Sequence, residues 1–410
     1  MRATIICGLL CWTTFGCGGA NAAGLSDWLQ DAGGSSSGSG GGGSSSSSSS
    51  GASPNAARAN DASGASAADA PTTMKDSGSI DDAIATAPTP APTLFPVLPY
   101  RGVSLAGAEF AASTGGTFGG KTLGTIPNDY YYPDSLVPNA GMYAGGYAHM
   151  AYPYYRGKGM NTFRMPFRWE RLQRALTSSF DAGELAAFQT AVADMVAAGA
   201  TVLLDAHNYG RYASASQIAS GANADMLGSG ALPNSAFADF WKRLATLYKN
   251  NGHVVFDLMN EPNGLNTNQT WPDAAQAAVT AIRSVGANNL ILIEGNAWAD
   301  AKTWPTVSDT LKNISDPANN MAFEVHVYPD VSGGGGSDTC SDVNSAVTQL
   351  QPFTAWLKAN HARGFLGEFS AGISIRASAQ CMQAIDNELK HLAANPDVYI
   401  GWTYWAGGAG

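Results

Sequence analysis

Charge is scarce in this sequence. Only 13% of its 410 residues are charged, and 22 Lys and Arg stand against 32 Asp and Glu, a formal net charge of -10. No cluster of Lys and Arg is present, which argues against nucleic acid as a partner, because neutralising phosphates requires grouped cations. The N-terminal apolar run, Ala3 to Phe15 behind Met1-Arg2, is too short to span a bilayer as a helix. Its charged start and short apolar length instead match a secretory signal peptide. Cysteine is sparse too, with five residues in all. Cys7, Cys11 and Cys17 lie in the leader, leaving Cys340 and Cys381 as the pair of the exported domain. No Cys or His lies at ligand spacing from either, so neither a metal site nor another cofactor is expected. In an oxidising compartment the pair is expected to form a disulfide between the loop after the sixth strand and the loop after the seventh.

What the chain does have is small residues and aromatics: 48 Gly, ten Trp and fifteen Tyr. They point to a loop-rich protein with aromatic surface able to stack on sugar rings or other flat apolar faces. The leader is read as residues 1–22, ending at the small-residue site Ala20-Asn21-Ala22. Gly16-Cys17 offers a rival site at which Cys17 would carry a lipid and anchor the protein to a bacterial envelope. Residues 23–96 form a Ser/Gly/Ala/Pro-rich linker with few large apolar side chains. Such a segment cannot bury enough surface to offset chain entropy, and it is read as a disordered tether. The remaining domain, 97–410, has a length that suits one α/β barrel.

Eight short apolar runs follow one another in this domain: 102–106, 162–166, 201–206, 254–259, 290–294, 322–327, 365–367 and 399–404. Helical patterns lie between most of them, over 181–198, 237–250, 273–285 and 343–359, the first opening on Asp181 and Glu184 at capping-box spacing. Strands alternating with helices imply a closed α/β fold, the (β/α)8 TIM barrel, whose chemistry gathers at the C-terminal strand ends. Two carboxylates stand there. Glu261 closes the run through Asn260-Glu261-Pro262, and Glu368 closes Gly364-Phe365-Leu366-Gly367-Glu368. Pro262 is expected to keep Glu261 in extended geometry, as the last residue of its strand. A Glu at a strand end can equally be a salt-bridge partner, but two opposed acids suit general acid and nucleophile work on a glycosidic bond. Asp205, Asp257, Glu294 and Glu324, deeper in their strands, are read as structural.

At these motifs the sequence resembles the endoglucanases of glycoside hydrolase family 5. Arg164 in Asn161-Thr162-Phe163-Arg164-Met165-Pro166, the run His207-Asn208-Tyr209, Asn260-Glu261-Pro262, His326-Val327-Tyr328, Gly367-Glu368-Phe369 and the end at Trp405 occur in the family's order and spacing, over essentially all of 100–407. The resemblance implies a retaining endo-β-1,4-glucanase with Glu261 as acid/base and Glu368 as nucleophile. Arg164 would keep the nucleophile ionised and Asn260 would bind the sugar 2-hydroxyl. His207, His326 and Tyr328 would position sugar and acids, with Asn208 supporting them. Trp298 and Trp405 would stack on glucose rings, Trp405 being preferred to Trp402 by its spacing to Gly407-Gly408. Cellulose and related β-glucans are the implied substrate, and a secreted monomer is expected. The sequence departs from the family at Gly410, where the family continues into a closing segment: either the sequence is truncated there, or one side of the barrel is left uncovered, with apolar surface exposed. Alternatives are a β-mannanase or other β-glycanase of the same barrel class, and a non-catalytic carbohydrate-binding protein.

Overall fold

The computed structural model describes residues 97–109, 117–118, 121–122, 147–220, 222–371 and 378–407. The expected leader, the tether and Cys17 lie outside these residues. Eight parallel strands form the barrel: β1 Tyr100–Ser104, β2 Thr162–Phe167, β3 Thr201–Ala206, β4 Val254–Asp257, β5 Ile291–Glu294, β6 Met321–His326, β7 Gly364–Glu368 and β8 Tyr399–Tyr404. Their order around the ring is β1-β8-β7-β6-β5-β4-β3-β2, closed by β1 pairing with both β8 and β2. The strand ring itself is complete between β8 and β1. On β8 the outward Trp402 and Tyr404 are partly buried, each edge-on to Phe369.

Six helices of more than ten residues are found among the described residues: α1 Tyr147–Gly157, α2 Ala182–Ala197, α3 Asn234–Tyr248, α4 Thr270–Ser284, α5 Ser345–Ala359 and α6 Ala379–Ala394. Four coincide with the helical patterns in the sequence. The capping-box reading of α2 holds in geometry, since Asp181 Oδ1 accepts the Glu184 backbone N–H at 2.9 Å. α1 and α6 escape pattern reading. The Cys340–Cys381 disulfide is present, but its second half lies in the first turn of α6 rather than in a loop. The helix starts there because the Ser378 side chain accepts the Cys381 N–H at 3.1 Å.

Strand periodicity decides what fills the barrel. Alternate residues Val202, Leu204, Phe256, Ile291, Ile293, Phe323 and Val325 face outward into the main helix-packed core. Their neighbours Leu203, Val255, Leu292, Ala322 and Phe365 form a second, separate cluster inside the barrel. Two residues further along each strand, and hence one layer nearer the catalytic face, stand Asp205, Asp257, Glu294, Glu324 and Gly367. An apolar floor thus carries a layer of four carboxyl groups. The fifth position has to be glycine, because a Cβ on Gly367 would lie 1.6 Å from Glu324 Oε1.

Candidate active site

The carboxyl layer is organised by one buried cation. Arg164, from β2, is fully buried and reaches Asp205 at 3.0 Å, Asp257 at 2.8 Å, Glu294 at 2.9 Å and Glu324 at 3.7 Å. Its Nη1 donates to Glu368 Oε1 at 2.5 Å, and its Nη2 donates to Asn260 Oδ1 at 2.9 Å. A buried charge is tolerated only where partners offset its desolvation, and here they converge from five strands besides its own. The four deeper acids, read from sequence as structural, therefore frame the arginine that holds Glu368.

Glu368 sits at the end of β7 with both oxygens held: Arg164 takes Oε1, and the Tyr328 hydroxyl donates to Oε2 at 2.7 Å. Burial alone would raise its pKa, but His326, Arg164, His207 and the Tyr328 hydrogen bond outweigh burial and lower it to about 2. Glu261 has the opposite balance. Burial raises its pKa to about 7 against the pull of His326, with Glu368 and Glu294 adding repulsion. His326 Nδ1 meets Glu261 Oε1 at 2.8 Å and lies 3.5 Å from Glu368 Oε2, so the imidazole sits between the two acids. One oxygen of each acid and a nitrogen of His326 lie within 4.8 Å of one another. Glu261 keeps 15% of its side-chain surface open, Glu368 only 5%.

The backbone of Glu261 differs from expectation. β4 ends at Asp257, and Glu261 has φ +46°, in the left-handed region rather than the extended one. A residue before proline is disfavoured in the right-handed helical region, and extended geometry is not the only alternative left. Neighbours fix this one: Glu294 Oε2 accepts the Glu261 N–H at 2.6 Å, and Asn263 Nδ2 donates to the Glu261 carbonyl at 3.0 Å. Strained backbone of this kind persists only where the surroundings over-determine it.

The remaining residues singled out from sequence fall into two groups. His207, after β3, pairs its Nδ1 with Asp205 Oδ2 at 2.7 Å and lies parallel to Trp405, ring centroids 5.4 Å apart and 15° between planes. Burial holds its pKa well below the ordinary histidine value. Trp298 is 38% exposed, in left-handed backbone at φ +65°, with its ring edge-on to Tyr209 at 5.8 Å. Asn260 Nδ2 is buried and has no protein partner. Asn208 is not at the mouth. Its Oδ1 accepts the Trp169 N–H at 2.8 Å and its Nδ2 donates to Glu170 Oε2, so it anchors the turn Trp169–Leu172 after β2. Trp402 likewise faces outward, leaving Trp405 on the site.

Three groups of acid and histidine atoms are close enough to invite a cation: Glu261, His326 and Glu368; Glu294, Glu324 and His326; Asp205, Asp257 and Glu294. The Arg164 guanidinium and the His326 imidazole already stand among them. His326 is held well above its ordinary pKa: burial opposes this, and Glu294, Glu368 and Glu261 overcome it.

Residues 148–408 match the family model described as Cellulase (glycosyl hydrolase family 5). The chain is 34% identical over 313 residues to endo-beta-1,4-glucanase B of Aspergillus niger, covering 76% of this chain and 82% of the relative. Among solved structures it is similar to an endo-beta-1,4-glucanase of Xanthomonas axonopodis pv. citri, with 37% identity and TM-score 0.64 over 76% of this chain and 89% of the other. It is also similar to the endoglucanase Cel5A of Pseudomonas stutzeri in complex with cellobiose, with 32% identity and TM-score 0.63 over 78% and 88%.

Proposed function

Because the chain belongs to the cellulase family, glycosyl hydrolase family 5, and is a glycoside hydrolase, we propose that it is a secreted, retaining endo-β-1,4-glucanase acting on cellulose and related β-glucans. The observation that carries this reading is the pair Glu261 and Glu368. One carboxyl oxygen of each lies within 4.8 Å of the other, with pKa values pushed apart to about 7 and about 2. Retention needs carboxyl groups about 5 to 5.5 Å apart, whereas inversion leaves about 6.5 to 9.5 Å for a water between them.

In this mechanism Glu368, ionised, attacks the anomeric carbon, while Glu261 gives its proton to the departing glycosidic oxygen. Glu261, now a carboxylate, then takes a proton from the water that releases the glycosyl group from Glu368. Arg164 and Tyr328 hold the nucleophile's two oxygens apart in aim, and His326 holds the acid. The unpartnered Nδ2 of Asn260 is available to the sugar 2-hydroxyl, a bond that tightens in the transition state. Trp405, backed by His207, and the exposed Trp298 offer flat faces for glucose rings. Export follows from the N-terminal leader read in the sequence. Among the described residues no helix is long and apolar enough to cross a membrane.

The test is viscosity loss and reducing-end release on carboxymethyl cellulose, with the parent, Glu368→Ala and Glu261→Ala compared. A parent that thins the polymer beside two nearly inactive, folded variants supports both roles. Cleavage of mannan with none of glucan would transfer the activity to another β-glycan. Ligand binding without cleavage of either would leave a binding protein.

A further inference from the structure

Glu294 is a deep carboxylate in contact with Glu261, Arg164 and His326. Its Oε2 accepts the backbone N–H of Glu261 at 2.6 Å. Its Oε1 accepts from Arg164 Nη2 at 2.9 Å, and the same arginine holds Glu368 through Nη1. The Oε1 atom also lies 3.4 Å from His326 Nε2, the far side of the imidazole that holds the Glu261 carboxyl. A closed circuit results: Glu294 holds the main chain of Glu261, His326 holds its side chain, and Glu294 meets His326.

We propose that Glu294 is a positioning residue for proton donation, fixing the left-handed backbone of Glu261 and the imidazole beside it so that the acid faces the leaving oxygen. Two observations separate this from mere neutralisation of Arg164. Asp205 and Asp257 share that neutralising task at 3.0 and 2.8 Å, yet neither has a hydrogen bond to Glu261. Glu261 also holds φ +46°, which a non-glycine residue needs outside contacts to keep, and Glu294 supplies one of them to its N–H. The charged groups around Glu294 are Arg164 from β2, Asp205 from β3, Asp257 from β4, Glu324 and His326 from β6, and Glu261 itself. The Trp271 indole N–H also donates to the Glu294 carbonyl at 2.6 Å, fixing the strand end that aims the side chain.

This role rests on the proposed endoglucanase reading, and its test uses the full chain with two substrates that differ in leaving group. The sugar leaving cellotetraose needs the proton of Glu261; the phenolate leaving 2,4-dinitrophenyl β-cellobioside does not. In Glu294→Gln the side chain can accept from only one of the two donors it now serves. Its kcat/KM on cellotetraose falls roughly 10- to 100-fold, the scale of lost general acid catalysis, while that on the dinitrophenyl substrate stays within about threefold. Glu294→Asp, which keeps the charge and withdraws the acceptor by one methylene, shows the same split between substrates and carries the comparison if the Gln variant does not fold. Equal losses on both substrates, or none on either, overturn the positioning role. A folded parent inactive on both overturns the endoglucanase reading instead.

Discussion

Arg164 and Glu368 face each other across the barrel, from β2 and β7, with Nη1 to Oε1 at 2.5 Å. The contact leaves Oε2 to the Tyr328 hydroxyl at 2.7 Å, so the charge of Glu368 is shared between a cation it cannot lose and a phenol that can be removed. Arg164 itself is a poor target. Deleting a buried cation of this kind costs about 3–5 kcal/mol and would leave five carboxyl groups without it.

Tyr328→Phe is the informative variant. It removes one of the influences that lower the pKa of Glu368, while the ring remains to pack. The acid limb of the kcat/KM profile moves to higher pH and activity falls about tenfold, the equivalent of one hydrogen bond to a charged group. A pH titration of the variant beside the parent measures both effects, and an unmoved acid limb would remove Tyr328 from the charge balance of Glu368.

The parent's own pH profile is fixed by the two acids. In the proposed mechanism, activity requires Glu368 ionised and Glu261 protonated. It is therefore present above a pKa of about 2 and is lost as pH rises through about 7. The kcat/KM profile is a broad bell lying on the acid side of neutrality. Constant activity from about pH 6 to 8 would contradict the assignment of Glu261 as the acid.

Glu388 on α6 predicts a stability effect away from the site. It is fully buried, neither oxygen has a hydrogen-bond partner, and burial raises its pKa well above the ordinary value. A raised carboxyl pKa in the folded state means that stability is complete below the unfolded pKa and declines as pH rises toward the folded one. Glu388→Leu therefore stabilises by about 1–3 kcal/mol at pH 7, the cost of an unsatisfied buried polar group, and by less at pH 4. Thermal unfolding at both pH values checks it; a variant less stable than the parent at pH 7 would mean that Glu388 has a partner the contacts do not reveal.

Much of this architecture is legible in one dimension. The runs 201–206 and 254–259 are each apolar, short and followed by a helical pattern, and such order leaves few topologies besides a parallel barrel. Polarity then follows, because every strand enters from the same end, and Glu368 or His326 must emerge at the other. Asn208 shows the limit. It adjoins His207 in sequence, yet consecutive residues diverge at a strand end, and its amide is committed to Trp169 and Glu170.

By itself the sequence determined the alternation of strands and helices, the level of the deep acids along their strands, and the cysteine pair, since these depend on local periodicity and on counting. Only the tertiary structure decided that four deep acids converge on Arg164, that Glu261 takes a left-handed backbone, and that two glutamates of one chemical type acquire opposite proton affinities. Those properties arise from fields and hydrogen bonds between strands as far apart in the chain as Arg164 and Glu368, 204 residues. At such separations, only the closing of the barrel brings the groups within a few ångströms, where burial lets each charge act strongly on the next.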